Sequence, residues 1–292
     1  MTPLQLRCAL AVAGTLHFTR AAHEVGIAQS ALSAHVARLE DELGTALFER
    51  TSRSVRLTSA GEALLPRARA VLAELDRLRT DVAAATGAVE GPLRIGTIPT
   101  LADVDLAGLL ARLREQHPGV RATVVEQTSA RTVADVVAGT LDVGFTGTAL
   151  SEPPVGVQTQ VITTEPLVAV VAEDDPWARR HRLRLREVAR RPGVDFPAGT
   201  SGRRQSDEAF AAAGLARDVA VESSSAPFLL DLVRAGVGVA LLPAAAARTA
   251  GGVRAVAVAD APVRRVCAVH AGAGSSAAAR AFLALLAAHL PA

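Results

Sequence analysis

Three arginines, Arg50, Arg53 and Arg56, stand three residues apart in a stretch whose only acid is Glu49. Guanidinium groups spaced like this on a hairpin suit contact with nucleic-acid phosphates. A solvated charge run has the same composition. The flanks point to a hairpin. Leu47-Phe48-Glu49-Arg50 and Val55-Arg56-Leu57-Thr58 are short β-prone runs around the polar tip Thr51-Ser52-Arg53-Ser54. Catalytic chemistry has less to stand on. The sequence has no Gly-rich phosphate loop and no GxSxG turn. Its seven histidines (His17, His23, His35, His117, His181, His270 and His289) are scattered, none with an evident catalytic partner. The reading is of a protein that is not an enzyme. Cys8 and Cys267 lie far apart with no CxxC or Cys/His cluster, so two reduced thiols, no metal site and no cofactor are expected.

The elements that would carry the arginines are short helices. Leu4, Leu6, Leu10 and Val12 mark the apolar face of a first helix, which Gly14-Thr15 interrupts. Thr19 is the expected cap of a second helix running to Val25, with Phe18 just before it. Gly26-Ile27-Ala28 forms a tight turn, and a third helix runs from Gln29 to about Leu43 and stops at Gly44. Helix, Gly-containing turn, helix is the helix-turn-helix pattern, although a generic small bundle shows the same spacing. A basic hairpin directly after it is what backbone contact with DNA requires.

The 292 residues, half of them hydrophobic with a mean hydropathy of +0.28, suit two or three compact units. Every basic residue other than histidine is arginine, and the formal net charge is only +2. Nucleic-acid binding must therefore come from a local patch. The N-terminus lacks a basic segment, apolar core and cleavage site, and no apolar run is long enough to span a bilayer. A cytoplasmic protein without a membrane partner is expected.

Ser59-Ala60-Gly61-Glu62 fits a capping box opening a long helix. Along it Leu64, Ala68, Val71, Leu75, Leu78, Val82 and Ala85 recur at alternating spacings of four and three, a heptad seam for a partner helix. Pro66, beyond the first turn, should kink it or remove a hydrogen bond. A hinge follows at residues 87–92, with two glycines and a proline. Beyond it, strands near 93–97, 120–126 and 141–145 alternate with helices near 99–116 and 132–139. A run over 155–164 leads to Glu165-Pro166. A second set follows, with strands near 167–172, 194–196, 219–221, 237–242 and 263–269. Its helices begin after Ser201, near Phe228 and near Ser275. Such alternation predicts parallel sheet with helices on both faces.

The sequence from residue 4 to residue 70 resembles, nearly unbroken, the N-terminal signature of the LysR-type transcriptional regulators. The resemblance rests on Phe18-Thr19-Arg20-Ala21-Ala22, Gln29-Ser30-Ala31-Leu32-Ser33, Arg38-Leu39-Glu40, Leu43-Gly44, Leu47-Phe48-Glu49-Arg50 and Leu57-Thr58-Ser59-Ala60-Gly61. It implies an α/β multidomain chain. A winged helix-turn-helix would occupy residues 1–58 and a dimerisation linker helix 59–86. A two-lobed periplasmic-binding-protein-like effector domain would occupy 92–292, with lobe I at 92–162 and 266–292 and lobe II at 163–265. It also implies a sequence-specific regulator that binds double-stranded DNA at a pseudo-palindromic operator as a homodimer or homotetramer.

By this resemblance Gln29, Ser30 and Ser33 open the recognition helix and face the major groove, where Gln can pair with an adenine edge. Arg50 and Arg53 would hold phosphates or enter the minor groove. Arg20 and Arg38 are further candidates, though either could pair with an acid such as Glu24 or Glu42. Two positions depart from the family. Ala28 replaces a usual Ser or Thr before Gln29, losing a cap worth roughly 1 kcal/mol, and Ala34-His35 replaces longer polar residues.

The second resemblance is looser and rests on Leu93-Arg94-Ile95-Gly96, Leu141-Asp142-Val143-Gly144, Glu165-Pro166-Leu167 and the stretch 236–243. It implies an effector held at strand ends and helix N-termini. The residues so placed are Pro99, Thr100, Leu101, Ser129, Thr146, Gly147, Phe196, Thr200, Ser201 and Ser224. Their hydroxyls suit a carboxylate or other small anion, though each could merely cap a helix. No dedicated countercharge is evident; Arg203 and Arg204 are candidates, although a solvated helix start is the stronger reading. A secreted solute-binding protein would fit this half but not the helix-turn-helix. An architectural DNA binder would need no cleft.

Overall fold

The computed structural model describes residues 1–51, 54–85, 89–248 and 250–290. The chain forms two compact units, one running from the N-terminus through the long helix and the other beginning at Val89.

The first unit contains α1 (Pro3–Thr15), α2 (Phe18–Val25), α3 (Gln29–Leu43), β1 (Phe48–Arg50), β2 (Val55–Leu57) and α4 (Ser59–Ala85). Thr2 and Gln5 cap α1 reciprocally. The cap of α2 is His17, not Thr19: its Nδ1 accepts from the Arg20 amide at 3.4 Å, which starts the helix at Phe18. At the turn into α3, Gly26 holds a left-handed φ of 76° that a side chain would strain. Ala28 opens α3 with no side-chain cap. Leu6, Cys8, Ala9 and Val12 of α1 meet Ala21, Leu32, Val36 and Leu39 in one core, closed by Leu47 and Phe48. Each large aliphatic buried there contributes about 1.5–3 kcal/mol. The hairpin pairs Phe48 with Leu57 and Arg50 with Val55. Thr58, not Ser59, caps α4; its hydroxyl accepts from the Gly61 amide at 3.0 Å. The helix continues through Pro66 without a break. Ala68 is buried, whereas Val71, Leu78 and Val82 are 48%, 61% and 63% exposed.

The second unit begins with β3 (Gly91–Thr97), α5 (Leu106–Gln116), β4 (Val120–Glu126), α6 (Ser129–Val137), β5 (Val143–Ala149) and β6 (Gln158–Ala172). It continues with β7 (Arg182–Leu183), α7 (Leu185–Val188), β8 (Gly193–Asp195), α8 (Ser201–Ala212), β9 (Val219–Glu222) and α9 (Ala226–Arg234). It ends with β10 (Ala240–Pro243), α10 (Ala244–Arg248), β11 (Val253–Val258), β12 (Val263–His270) and α11 (Ala277–His289). The strand order is β4-β3-β5-β12-β6-β11-β7, with β10 also on β6 and β8-β9 as a separate pair.

The sheet is mixed rather than parallel. β3 pairs in parallel with β4 and β5, but β12 runs antiparallel to both β5 and β6, and β10 and β11 antiparallel to β6. The reason is that β6 and β12 cross the unit in opposite directions. β6 is one fifteen-residue strand through Glu165-Pro166, where the sequence suggested a break. Its first half pairs with β12 and its second with β10 and β11. Helices do lie on both faces. In the first lobe Leu93, Ile95, Phe145 and Phe282 form one core, and Val136, Leu141 and Val269 another. In the second, Leu167, Leu183 and Phe210 lie in one cluster, and Val170, Val194 and Leu229 in another. Gly144 lets α6 approach the sheet: a Cβ there would meet the side chains of Thr132 and Val269.

Candidate nucleic-acid interface and candidate ligand cleft

α3 buries Leu32, Val36 and Leu39 and leaves Gln29, Ser30 and Arg38 exposed. Gln29 Nε2 donates to Ser33 Oγ, one turn on, at 3.0 Å. The helix thus offers an amide and two hydroxyls at its start and a cation near its end, the donor and acceptor types that read base edges and hold phosphates. Arg20 is exposed on α2 and donates to the Thr15 carbonyl at 2.9 Å. The carboxylate of Glu42, a candidate partner for these arginines, instead receives the Met1 amino group and Gln5 Nε2. Arg50 lies over the Phe18 ring at 4.5 Å and donates to Glu40 Oε2 at 2.7 Å. The other oxygen of Glu40 accepts the Leu47 and Phe48 amides at 2.9 and 3.2 Å. Glu40 therefore ties the third helix to the hairpin, a role sequence reading missed. Arg53 lies outside the described residues.

The second unit holds a cavity of ≈ 190 Å³ lined by both of its lobes. Of the sequence-predicted residues, Pro99, Thr100, Ser129, Gly147, Phe196, Thr200, Ser201 and Ser224 line it. Leu101 and Thr146 do not. Leu101 packs against the first-lobe core. Thr146 is fully buried and, as the neighbour of Gly147 on β5, points to the opposite face of the strand.

The placement of Thr100 also differs from expectation. Asp105 caps α5, so Thr100 sits in the preceding loop and not at a helix N-terminus. Its hydroxyl and carbonyl accept from Arg264 Nη1 and Nη2 at 2.8 and 3.2 Å. Arg264, on β12, is 2% exposed and lines the cavity. Its Nε and Nη2 also donate to Glu165 Oε1 on β6 at 2.9 and 2.7 Å. Burial raises the pKa of Glu165 and the Arg264 guanidinium opposes the rise. Sequence reading missed this cation. The available signal was an arginine inside a strand otherwise apolar on that side of Val266-Cys267-Ala268.

Around Gly147 the lobes share polar contacts. Ser129 Oγ accepts the Gly147 amide at 3.0 Å, and Gln205 Nε2 of α8 donates to the Gly147 carbonyl at 2.9 Å. Thr200 caps α8. Arg203 is paired with Asp207 and Glu222, and Arg204 with Glu152, so neither is merely solvated, and neither lines the cavity. Behind Phe196, Asp195 is 2% exposed. It accepts the Phe196 amide at 2.7 Å and lies 2.7 Å from Arg217, while burial pushes its pKa up to about 6. Among the described residues no cluster could hold a metal ion.

Residues 4–62 match the model of the bacterial regulatory helix-turn-helix protein, lysR family, and residues 86–291 the LysR substrate binding domain. The chain belongs to the LysR family. It is a DNA-binding transcriptional regulator with an effector-binding domain, not an enzyme. It is 35% identical to the HTH-type transcriptional regulator ShiR of Corynebacterium glutamicum (strain R) over 80% of this chain and 79% of that protein. It is 32% identical to the DNA-binding transcriptional dual regulator OxyR of Escherichia coli K12 over 81% and 77%. A full-length OxyR variant from Pseudomonas aeruginosa is similar in structure, with a TM-score of 0.74 at 28% identity over 98% of this chain and 93% of that one. CbnR in its complex with target DNA shares the fold, with a TM-score of 0.73 at 24% identity over 99% of each chain.

Proposed function

We propose that this LysR-family regulator binds a pseudo-palindromic operator as a homodimer or homotetramer, and that a small effector in the cleft changes that binding. The head spans 1–58, the linker helix 59–86 and the effector domain 92–292, with lobe I at 92–162 and 266–292 and lobe II at 163–265. Gln29, Ser30 and Ser33 read bases; Arg20, Arg38 and Arg53 hold phosphates, and Arg50 both supports the wing and contacts the backbone. The exposed seam Val71, Leu78 and Val82 supports pairing through α4. The protein is assigned to the cytoplasm; among the described residues no helix is long and apolar enough to cross a membrane.

The observation that carries the effector reading is the cavity with walls from both lobes. A ligand touching both lobes can favour one arrangement of them, and only by binding that arrangement better. Pro99, Thr100, Ser129, Gly147, Phe196, Thr200, Ser201 and Ser224 form the binding surface. Their hydroxyls, with Arg264 as the cation, suit a carboxylate or other small anion. Glu126 on the wall and Glu165 on Arg264 limit the compensation, so we assign the effector a single negative charge on an apolar body. Peroxide is not proposed, although some relatives are named hydrogen peroxide-inducible genes activators. A peroxide-sensing thiol must be accessible and of low pKa. Cys8 and Cys267 are buried, and burial raises both.

The test uses an operator selected by the protein from random-sequence duplexes, titrated in the presence of a panel of small monocarboxylic acids. At least one acid is expected to shift operator affinity of the wild type and to lose that effect in Thr100→Val, with basal binding retained. An equal shift in both proteins removes Thr100 from the site; no shift with any acid removes the ligand class.

A further inference from the structure

The densest positive charge in the molecule is not in the DNA-reading head. Residues 1–58 carry six arginines against five acids, whereas residues 179–191 carry seven arginines and one acid, Glu187. That segment is ordered. Leu183 and Leu185 are each 1% exposed and, with Val188, anchor β7 and α7 in the second-lobe core. Side chains alternate along extended chain, so Arg182 on β7 and Arg184, the extended cap of α7, project to the same side. Arg186 in α7 is exposed as well, as are Arg179 and Arg190 on either side.

Apart from the exposed Asp174, the acids beside the segment are already engaged. Glu187 pairs with Arg180 at 2.6 Å, and Asp175 with Arg191 at 2.7 Å, while Arg191 also stacks on Trp177. Glu173 pairs with Arg254, and Asp260 accepts the Leu185 amide. Among the described residues, no acid forms an ion pair with Arg179, Arg182, Arg184, Arg186 or Arg190. β7 is the edge strand of its sheet, and arginines there also discourage strand-to-strand association. That function needs one or two charges, not five exposed arginines, of which Arg186 alone also attracts the nearby Glu187.

We propose that this ridge of arginines is a second, sequence-independent DNA contact, which holds the phosphate backbone of duplex flanking the operator. Charge complementarity selects the partner: guanidiniums carried on an element anchored in the core match phosphates, and this chain works on a polyanion whose binding is driven by counterion release. The head then supplies sequence choice, and the ridge adds affinity and lengthens the footprint.

The test uses the full chain and its selected operator in two duplexes, one covering only the half-sites and one extended by several helical turns. Wild type is expected to bind the long duplex more tightly. Arg182→Ser/Arg184→Ser/Arg186→Ser should bind the short duplex like wild type and lose the gain from the flanks. On the long duplex its plot of log affinity against log salt should flatten by about 2–3, from about 0.9 per phosphate contact. A control variant, Arg114→Ser/Arg121→Ser, removes two arginines exposed elsewhere on the same unit and should keep both properties. If the triple variant keeps the flank gain and the salt slope, the proposal is overturned. A ridge made for an acidic protein, or one that only guards the β7 edge, gives that result. Short-duplex binding reports on the head and the flank gain on the ridge, so the two assignments fail separately.

Discussion

The proposed DNA-reading face of the head and the proposed effector cleft present polar side chains in opposite ways. In the head, Gln29, Ser30 and Ser33 lie within two turns of one helix, and the buried Leu32, Val36 and Leu39 fix the face they present. In the cleft, partners come from distant sequence. Arg264 meets Thr100 across 164 positions and Glu165 across 99, and Gln205 meets Gly147 across 58. A site on one helix can change one residue at a time. A site built at a strand crossing couples ligand chemistry to the packing that holds the lobes.

The largest expected effect tests that coupling. Glu165→Ala removes the nearer carboxylate from the guanidinium of Arg264, 2% exposed, and leaves it with Asp103 at 3.8 Å. Breaking a buried pair in this way costs about 3–5 kcal/mol, and thermal unfolding should show a fall of many degrees. An unchanged midpoint would mean that the cleft is no more integral to the fold than the head surface.

Acidity offers a second test of about 3 kcal/mol. Asp195 is raised from 3.8 to about 6, chiefly by burial, with Arg217 opposing. A carboxyl raised in the folded state holds its proton more tightly there than in the unfolded chain. Its contribution is therefore most favourable below about pH 4 and declines as pH rises through about 6, by roughly 3 kcal/mol in all. Asp195→Asn should remove that decline from the pH dependence of unfolding. A variant with the wild-type profile would assign the buried wall beside Phe196 another source of pH sensitivity.

Smaller still is the effect expected on the exposed face of the head. Gln29→Ala should weaken operator binding about tenfold, within the range of one bidentate base contact, and leave the unfolding midpoint unchanged. A shift in the midpoint instead would show that Gln29 supports the fold through Ser33 and that the contrast between the two sites is overdrawn.

Much of the head was legible because its determinants are local. The Gly26 turn, the apolar spacing of α3 and the stop at Gly44 each act within a few residues, and all three appear as expected. The misreadings there were also local: His17 for Thr19 and Thr58 for Ser59, where neighbouring polar residues compete for one cap. In the cleft the residue types were partly visible but their partners were not. Gly147 was found, yet its neighbour Thr146 turned away, because strand alternation places only one of two adjacent residues on the cavity.

By itself the sequence determined the helix-turn-helix with its hairpin, the long helix after it and the alternation of strands and helices beyond residue 92. These follow from periodicity, caps and turns, which neighbouring residues specify. The two-lobed plan came from the family resemblance, and β7, α7, α10 and β11 had no clear local signal. Only the tertiary structure decided that the sheet is mixed and that β6 runs unbroken through Pro166. It alone made Glu40 the tie between helix and hairpin and Arg264 the buried cation of the cleft. The physical reason is that strand pairing and buried charge compensation depend on which distant segments meet, and local spacing carries no record of that meeting.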